Sequence, residues 1–182
     1  VTDTPPLPAF NDDGYRTTEP AISFTIERIV VARRNEIYRA WTDPELFKLW
    51  IVPPGQELVS LSVDTAGNAA WRTQGQADDD ASVEYVLDPQ TPQPYKAMET
   101  QFFTSAVPGM MYEHPVYLYL DLDKQQWEGK TTSTDYKLRV SYHSATLWRY
   151  ASRVDLHTFW LDATERLTRL VEQNSILRET AA

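Results

Sequence analysis

The stretch from Tyr38 to Gly55, YRAWTDPELFKLWIVPPG, constrains the fold more than any other part of the chain. Proline has no backbone N–H and drives the residue before it out of the helical region, so a helix through Tyr38 and Trp41 must stop before the Asp43-Pro44 step. Proline also suits the first turn of a new helix, and Thr42 or Asp43 can cap one. A second helix over Pro44–Trp50 follows, and Pro53-Pro54-Gly55 ends it. The result is two short helices with a bend between them, each presenting a tryptophan to whatever lies beneath.

Upstream, Ile22–Val31 reads as a strand, bounded by Pro20 and by Arg33-Arg34-Asn35. Alternation puts Phe24, Ile26, Arg28 and Val30 on one face. An arginine there has two explanations: a bulge shifts the register, or the cation points inward and needs an anionic or carbonyl partner. Asn35 is placed to cap the helix that carries Ile37, Tyr38 and Trp41 on one side. Downstream, strands are predicted over Leu58–Val63 (Val59, Leu61 and Val63 on one face), Ala69–Thr73, Val83–Leu87, Tyr95–Phe103, Val116–Asp123 and Tyr136–Tyr142. A tight turn is expected at Asp64–Asn68, where Asn68 can take a positive φ, and DPQTPQP reads as a rigid proline turn. Gln74–Ala81 is an acidic loop, Thr104–Pro115 a second loop, and Trp127–Thr134 a turn around Gly129.

From about Asp155 to Gln173 the period becomes helical. Phe159, Trp160, Ala163, Leu167, Leu170 and Val171 form an apolar stripe, and Asp162, Glu165, Arg166, Arg169 and Glu172 a charged one. Asp162–Arg166 and Glu165–Arg169 stand at the spacing of helical ion pairs. A helix of that length spans about 28 Å, enough to cross a sheet.

Trp41-Thr42-Asp43-Pro44-Glu45, the following Trp50 and Pro53-Pro54-Gly55, with the tryptophan and spaced leucines of the last helix, resemble the START-like (SRPBCC) superfamily. The similarity is to the branch named after the activator of the heat-shock chaperone ATPase, and it covers about Phe24–Gln173. It implies an α+β helix-grip fold: a strand, two short helices, a curved antiparallel sheet and a long C-terminal helix across it. The domain is expected over residues 21–178, behind a proline-rich, acidic and flexible tail of residues 1–20. Relatives often carry Asp-Arg-x-Gly-Gly where this chain has Asp64-Thr65-Ala66-Gly67-Asn68, so the family arginine is missing. The superfamily contains binders, transporters, cyclases and co-chaperones, so the resemblance implies a cavity and not one function.

Several chemistries are removed by the rest of the chain. A net charge of −9 denies the basic footprint that nucleic acid demands. No apolar run reaches the ~20 residues of a membrane-spanning helix. No signal-peptide pattern opens the chain and cysteine is absent, which fits a cytoplasmic protein and excludes thiolate chemistry. His114, His143 and His157 are too scattered for a metal site, and neither a nucleotide fingerprint nor a nucleophile elbow occurs, so no cofactor is expected. Asp12-Asp13, Asp78-Asp79-Asp80, Asp121 and Asp123 fall in loops or on a strand's outer side, where nothing desolvates them for acid–base work.

What is left is aromatic, with six tryptophans and ten tyrosines. Arg28, Tyr85, Tyr142 and His157 are candidates to face the interior, either as polar members of the core or as anchors that orient a ligand. Phe24, Trp71, Met98, Phe102 and Trp160 supply apolar walls to the same space, and Trp148 reads as a packing residue. No catalytic residue is visible. The expected partner is an apolar small molecule, aromatic or polyketide-sized, held between the sheet and the C-terminal helix. The resemblance adds that some relatives sequester reactive natural products, enediynes among them, as antibiotic self-resistance. Two other roles stay open: a co-chaperone surface that docks a protein partner, and a polyketide cyclase or dehydratase using tyrosine, histidine and arginine in that cavity.

Overall fold

One antiparallel sheet carries the fold in the computed structural model, which describes residues 22–75, 82–107, 114–129 and 131–181. The expected tail of residues 1–20 and the acidic run at 78–80 lie outside the described residues. In chain order the elements are β1 (Ile22–Val30), α1 (Arg34–Thr42), α2 (Pro44–Ile51), β2 (Gln56–Val63), β3 (Ala69–Gly75), β4 (Val83–Gln93), β5 (Ala97–Thr104), β6 (Val116–Asp121), β7 (Gln125–Glu128), β8 (Thr131–Tyr142), α3 (Ala145–Arg153) and α4 (Leu156–Ala181). The strands lie in the order β1-β8-β6-β5-β4-β3-β2, with β7 pairing the start of β8. Two short helices follow the first strand, and the 26-residue α4 packs across one face. This is the α+β helix-grip architecture. No helix among the described residues is long and apolar enough to cross a membrane.

The helical pair forms as the proline rules require. Asp43 caps α2, its side chain accepting from Glu45 N at 2.9 Å, and Pro44 opens the helix. Trp50 then gives its indole N–H to Ala40 O at 2.8 Å, which locks the bend. Arg166 Nε reaches from α4 to Trp50 O at 2.8 Å, taking one of the carbonyls that the end of α2 leaves without a helical partner. At the start of α1 the capping position is Arg33, not Asn35; the Glu36 carboxylate accepts from Arg33 N at 2.8 Å, which leaves Asn35 inside the first turn.

Tertiary context moves several other boundaries. The strand β4 runs through Pro89 and Pro92 to Gln93, past a bulge between Pro89 and Thr91, where a proline turn is predicted. Its pairing with β3 stops at Leu87, so beyond that point one edge is open and a missing N–H costs no ladder bond. The actual turn lies at Gln93–Lys96, with Tyr95 at φ 65. Around Gly129 (φ 62) the predicted turn is a β7–β8 hairpin, and Trp127 and Thr131 belong to its strands. Val59 sits at a bulge in β2 and is exposed, not aligned with Leu61 and Val63.

The segment after Tyr142, which periodicity leaves unassigned, holds α3, capped by Ser144 Oγ accepting from Leu147 N at 3.1 Å. On it Trp148 is 41% exposed and stands outside the buried core, where a packing residue is expected from the sequence. The last helix runs past Gln173 to Ala181. Arg178 ties the extension down by pairing with Glu36, and just before it Glu172 accepts from Val31 N at 3.0 Å.

Candidate binding site between the sheet and the C-terminal helix

Adjacent strands put their inward aromatic residues side by side. Trp71 on β3 lies directly across from Tyr85 on β4, and their rings stack at 5.0 Å with planes 9° apart. Phe102 on β5 sits diagonally, 6.3 Å from Tyr85 and 6.4 Å from Trp71. From above, α4 lays Phe159 on Tyr85 at 5.4 Å and sets the edge of Trp160 on Phe102 at 5.0 Å. Trp160 in turn stacks on Trp41 of α1 at 6.1 Å. The outcome is a continuous aromatic block from β3 to α1, buried except at Phe159, which is half-buried.

At the start of α4 a smaller group gathers around Phe24. Phe24 of β1 is half-buried, 4.1 Å from the ring of His157 and 6.4 Å from that of Tyr142. His157 itself is exposed. Met98 is buried under the β2–β3 turn. The residue that takes the positive φ in that turn is Gly67 (φ 92), which glycine adopts without penalty, and a Cβ there would also stand 2.9 Å from Met98 Sδ. Asn68 instead donates through Nδ2 to Asp64 Oδ2 at 2.7 Å, and the Ala66 and Asn68 amides donate to Asp64 Oδ1.

Arg28 faces inward. The β1–β8 register runs unbroken from Ile22 to Val30, so no bulge turns it away. Its partner is a protein carboxylate: Nε and Nη2 donate to Glu165 Oε1 at 2.9 and 2.7 Å, and Nη1 donates to Glu27 O at 2.8 Å. Glu165 therefore serves the sheet rather than Arg169. Deeper in, Tyr136 on β8 is fully buried beside Thr164 of α4, and that burial pushes its phenol well above the ordinary tyrosine range.

Burial raises the Tyr142 phenol in the same way, and raises that of Tyr85 against a partly offsetting hydrogen bond with Thr73. At neutral pH these tyrosines hold their protons, so they are hydrogen-bonding groups and not bases. The buried polar side chains of the described residues are threonines and serines, and no three potential metal ligands converge among them. The indole N–H groups of Trp41, Trp71 and Trp160 are buried without an acceptor. A buried donor left unmet costs about 1–3 kcal/mol, so the block is built with polar capacity that its own packing does not use.

The nine residues singled out from the sequence thus fall into separate places. Trp71, Tyr85, Phe102 and Trp160 come together; Phe24, Tyr142 and His157 form the group at the start of α4; Met98 lies under the Gly67 turn. Arg28 is elsewhere, since its partner Glu165 is eight residues beyond His157 on α4, about 12 Å along the axis. Contributors outside that set include Trp41 and Tyr136, and also Phe159 and Thr164 on α4. The two on α4 carried a signal: Phe159 stands in the apolar stripe, and Thr164 is four residues after Trp160, on the same helical side.

Fold and site together define a helix-grip domain with an aromatic interior. By sequence, the chain matches no protein-family model and no curated protein. Its fold is similar to that of a Nitrosomonas europaea protein (TM-score 0.60, 16% identity, covering 84% of this chain and 95% of that one). A Staphylococcus epidermidis protein is similar as well (TM-score 0.62, 16% identity, 88% and 94%). So is DynU16, from the dynemicin biosynthetic locus (TM-score 0.53, 16% identity, 84% of this chain); the chain spans 48% of DynU16.

Proposed function

We propose that the chain binds an apolar small molecule, aromatic or polyketide-sized, between the sheet and α4, and that it serves to sequester a reactive natural product. The observation that carries this reading is the aromatic block itself: Trp71, Tyr85, Phe102 and Trp160 are buried as a group, and the half-buried Phe159 gives that group a side toward solvent. Aromatic walls with a few polar groups are the usual lining of small-molecule sites. Two further points support it. The WTDPE and PPG motifs resemble the branch of the START-like superfamily named after the chaperone ATPase activator, and DynU16, of similar fold, comes from a natural-product locus. A cyclase reading has less support, because Arg28 is engaged by Glu165 and stands apart from His157.

Native mass spectrometry of the full chain, purified from its own host under conditions that retain non-covalent ligands, tests the reading. The expected result is a low-mass adduct at one per chain. A bare chain as the sole species overturns it.

A further inference from the structure

In charge, the exposed side of α3 is the reverse of the chain around it. The sequence as a whole carries a net −9, yet Ala145–Arg153 holds two arginines and no acid. Burial of Leu147, Tyr150 and Ala151 turns Trp148, Arg149, Ser152 and Arg153 to solvent, and their three- and four-residue spacings put these four on one helical side. Arg153 lies over the Tyr150 ring at 5.2 Å, and neither arginine pairs with a carboxylate among the described residues. A tryptophan beside two such cations suits an acidic segment that also carries aromatic rings.

Such a segment stands in the same chain. Upstream of β1 the sequence reads Phe10-Asn11-Asp12-Asp13-Gly14-Tyr15, two carboxylates between two rings. Ile22, at the head of β1, lies across from Tyr142, and α3 opens three residues after Tyr142, so the chain enters the sheet beside α3. Eight residues, 14–21, separate Asp13 from Ile22. As a flexible chain they span ~16 Å, and ~27 Å when extended, against the ~14 Å length of α3. Four side chains are far fewer than the roughly 20–30 residues per side of a stable complex between separate molecules. A tethered segment needs less, because a short linker holds it at about millimolar effective concentration. We propose that the segment 10–15 docks in cis on the exposed side of α3, Asp12 and Asp13 meeting Arg149 and Arg153 while the ring of Phe10 or Tyr15 lies on Trp148.

The test is paramagnetic broadening in the full chain labelled with nitrogen-15. The chain has no cysteine, so Ala9→Cys gives a single site for a nitroxide. Broadening is expected to concentrate on the α3 amides, severalfold above that on β2 at the far edge of the sheet, and to vanish at about 1 M salt, where the screening length is about 3 Å. Asp12→Asn with Asp13→Asn should remove it, and so should Arg149→Asp with Arg153→Asp. Adding Asp12→Arg and Asp13→Arg to that last pair should restore it, which a merely weakened α3 would not do. Should the charge-swapped chain not fold, the salt series and the Asp12 and Asp13 changes carry the test alone. Broadening spread evenly over the body, or unmoved by the Asp12 and Asp13 changes, overturns the proposal. A mixture of nitroxide-bearing chain at natural isotope abundance with nitroxide-free nitrogen-15 chain separates the tether from a second copy. Broadening in that mixture as strong as in the single sample places the contact between molecules and overturns docking in cis.

Discussion

The two faces of the sheet carry similar residues and use them differently. On the outer face, Tyr117 and Tyr119 stack at 6.5 Å, Arg139 lies over the Tyr119 ring at 4.2 Å, and Lys137 Nζ pairs with Glu27 Oε1 at 2.8 Å. Tyr119, Arg139, Lys137 and Glu27 border a depression of about 390 Å³ together with Thr25 and Asp121. On the inner face, Tyr85, Trp71 and Trp160 have aromatic neighbours on all sides, yet two indole donors lack an acceptor. Aromatic content alone thus does not mark a site. The difference lies in what the rings meet: on the outer face they meet charged side chains, whereas on the inner face they meet other rings, and the indole N–H groups of Trp71 and Trp160 stay unmet.

Breaking the inner block has the largest expected effect. Trp160→Ala removes a fully buried ring that touches Phe102, Phe159 and Trp41, and should cost about 4 kcal/mol in urea unfolding. Tyr119→Ala on the outer face should cost under about 1 kcal/mol, the scale of one exposed cation–π contact. Equal losses would erase the contrast between the faces. Gly67→Ala comes next, at about 2 kcal/mol, since a left-handed φ of 92 is imposed on an L side chain whose Cβ meets Met98 Sδ at 2.9 Å. A neutral result would mean that Met98 is loosely held.

How much of this is legible in the sequence depends on range. The α1–α2 break follows from Pro44 and its neighbours, and β1's inward face follows from alternation, so both were readable. That Arg28 finds Glu165 was not, because alternation gives a face and never a partner 137 residues away. The path of β4 through Pro89 and Pro92 was hidden for a similar reason: whether proline is tolerated depends on where β3 ends. Of the site, the rings could be named, but their grouping rests on strand order, which no local pattern carries.

Smaller effects sharpen the picture at its polar edges. Arg28→Met should lower stability by about 1 kcal/mol and no more, because its side chain and that of Glu165 are 35% and 41% exposed and water screens the pair. A double-mutant cycle with Glu165→Gln measures it; a coupling several times larger would mean the pair is deeper than its exposure says. The smallest effect is a pH slope. The Asn68 side chain and the backbone amides of the β2–β3 turn hold the Asp64 carboxyl below its ordinary value of 3.8. As pH falls below that value the unfolded chain takes up a proton before the folded one does, so stability declines until the folded carboxyl also titrates. Asp64→Ser should flatten that part of the acid-unfolding curve, and an unchanged slope would contradict the assigned bonds.

The most direct test of a binding inner face is a titration with the apolar fluorophore N-phenyl-1-naphthylamine, run on the native chain, on Phe159→Gln and on Tyr119→Ala. Saturable binding near one probe per chain is expected, weakened at least about fivefold when the Phe159 ring is lost, an apolar contact of roughly 1–2 kcal/mol, and unchanged when the Tyr119 ring is lost. Binding that survives Phe159→Gln and fails in Tyr119→Ala, or no saturable binding to the native chain, would contradict it.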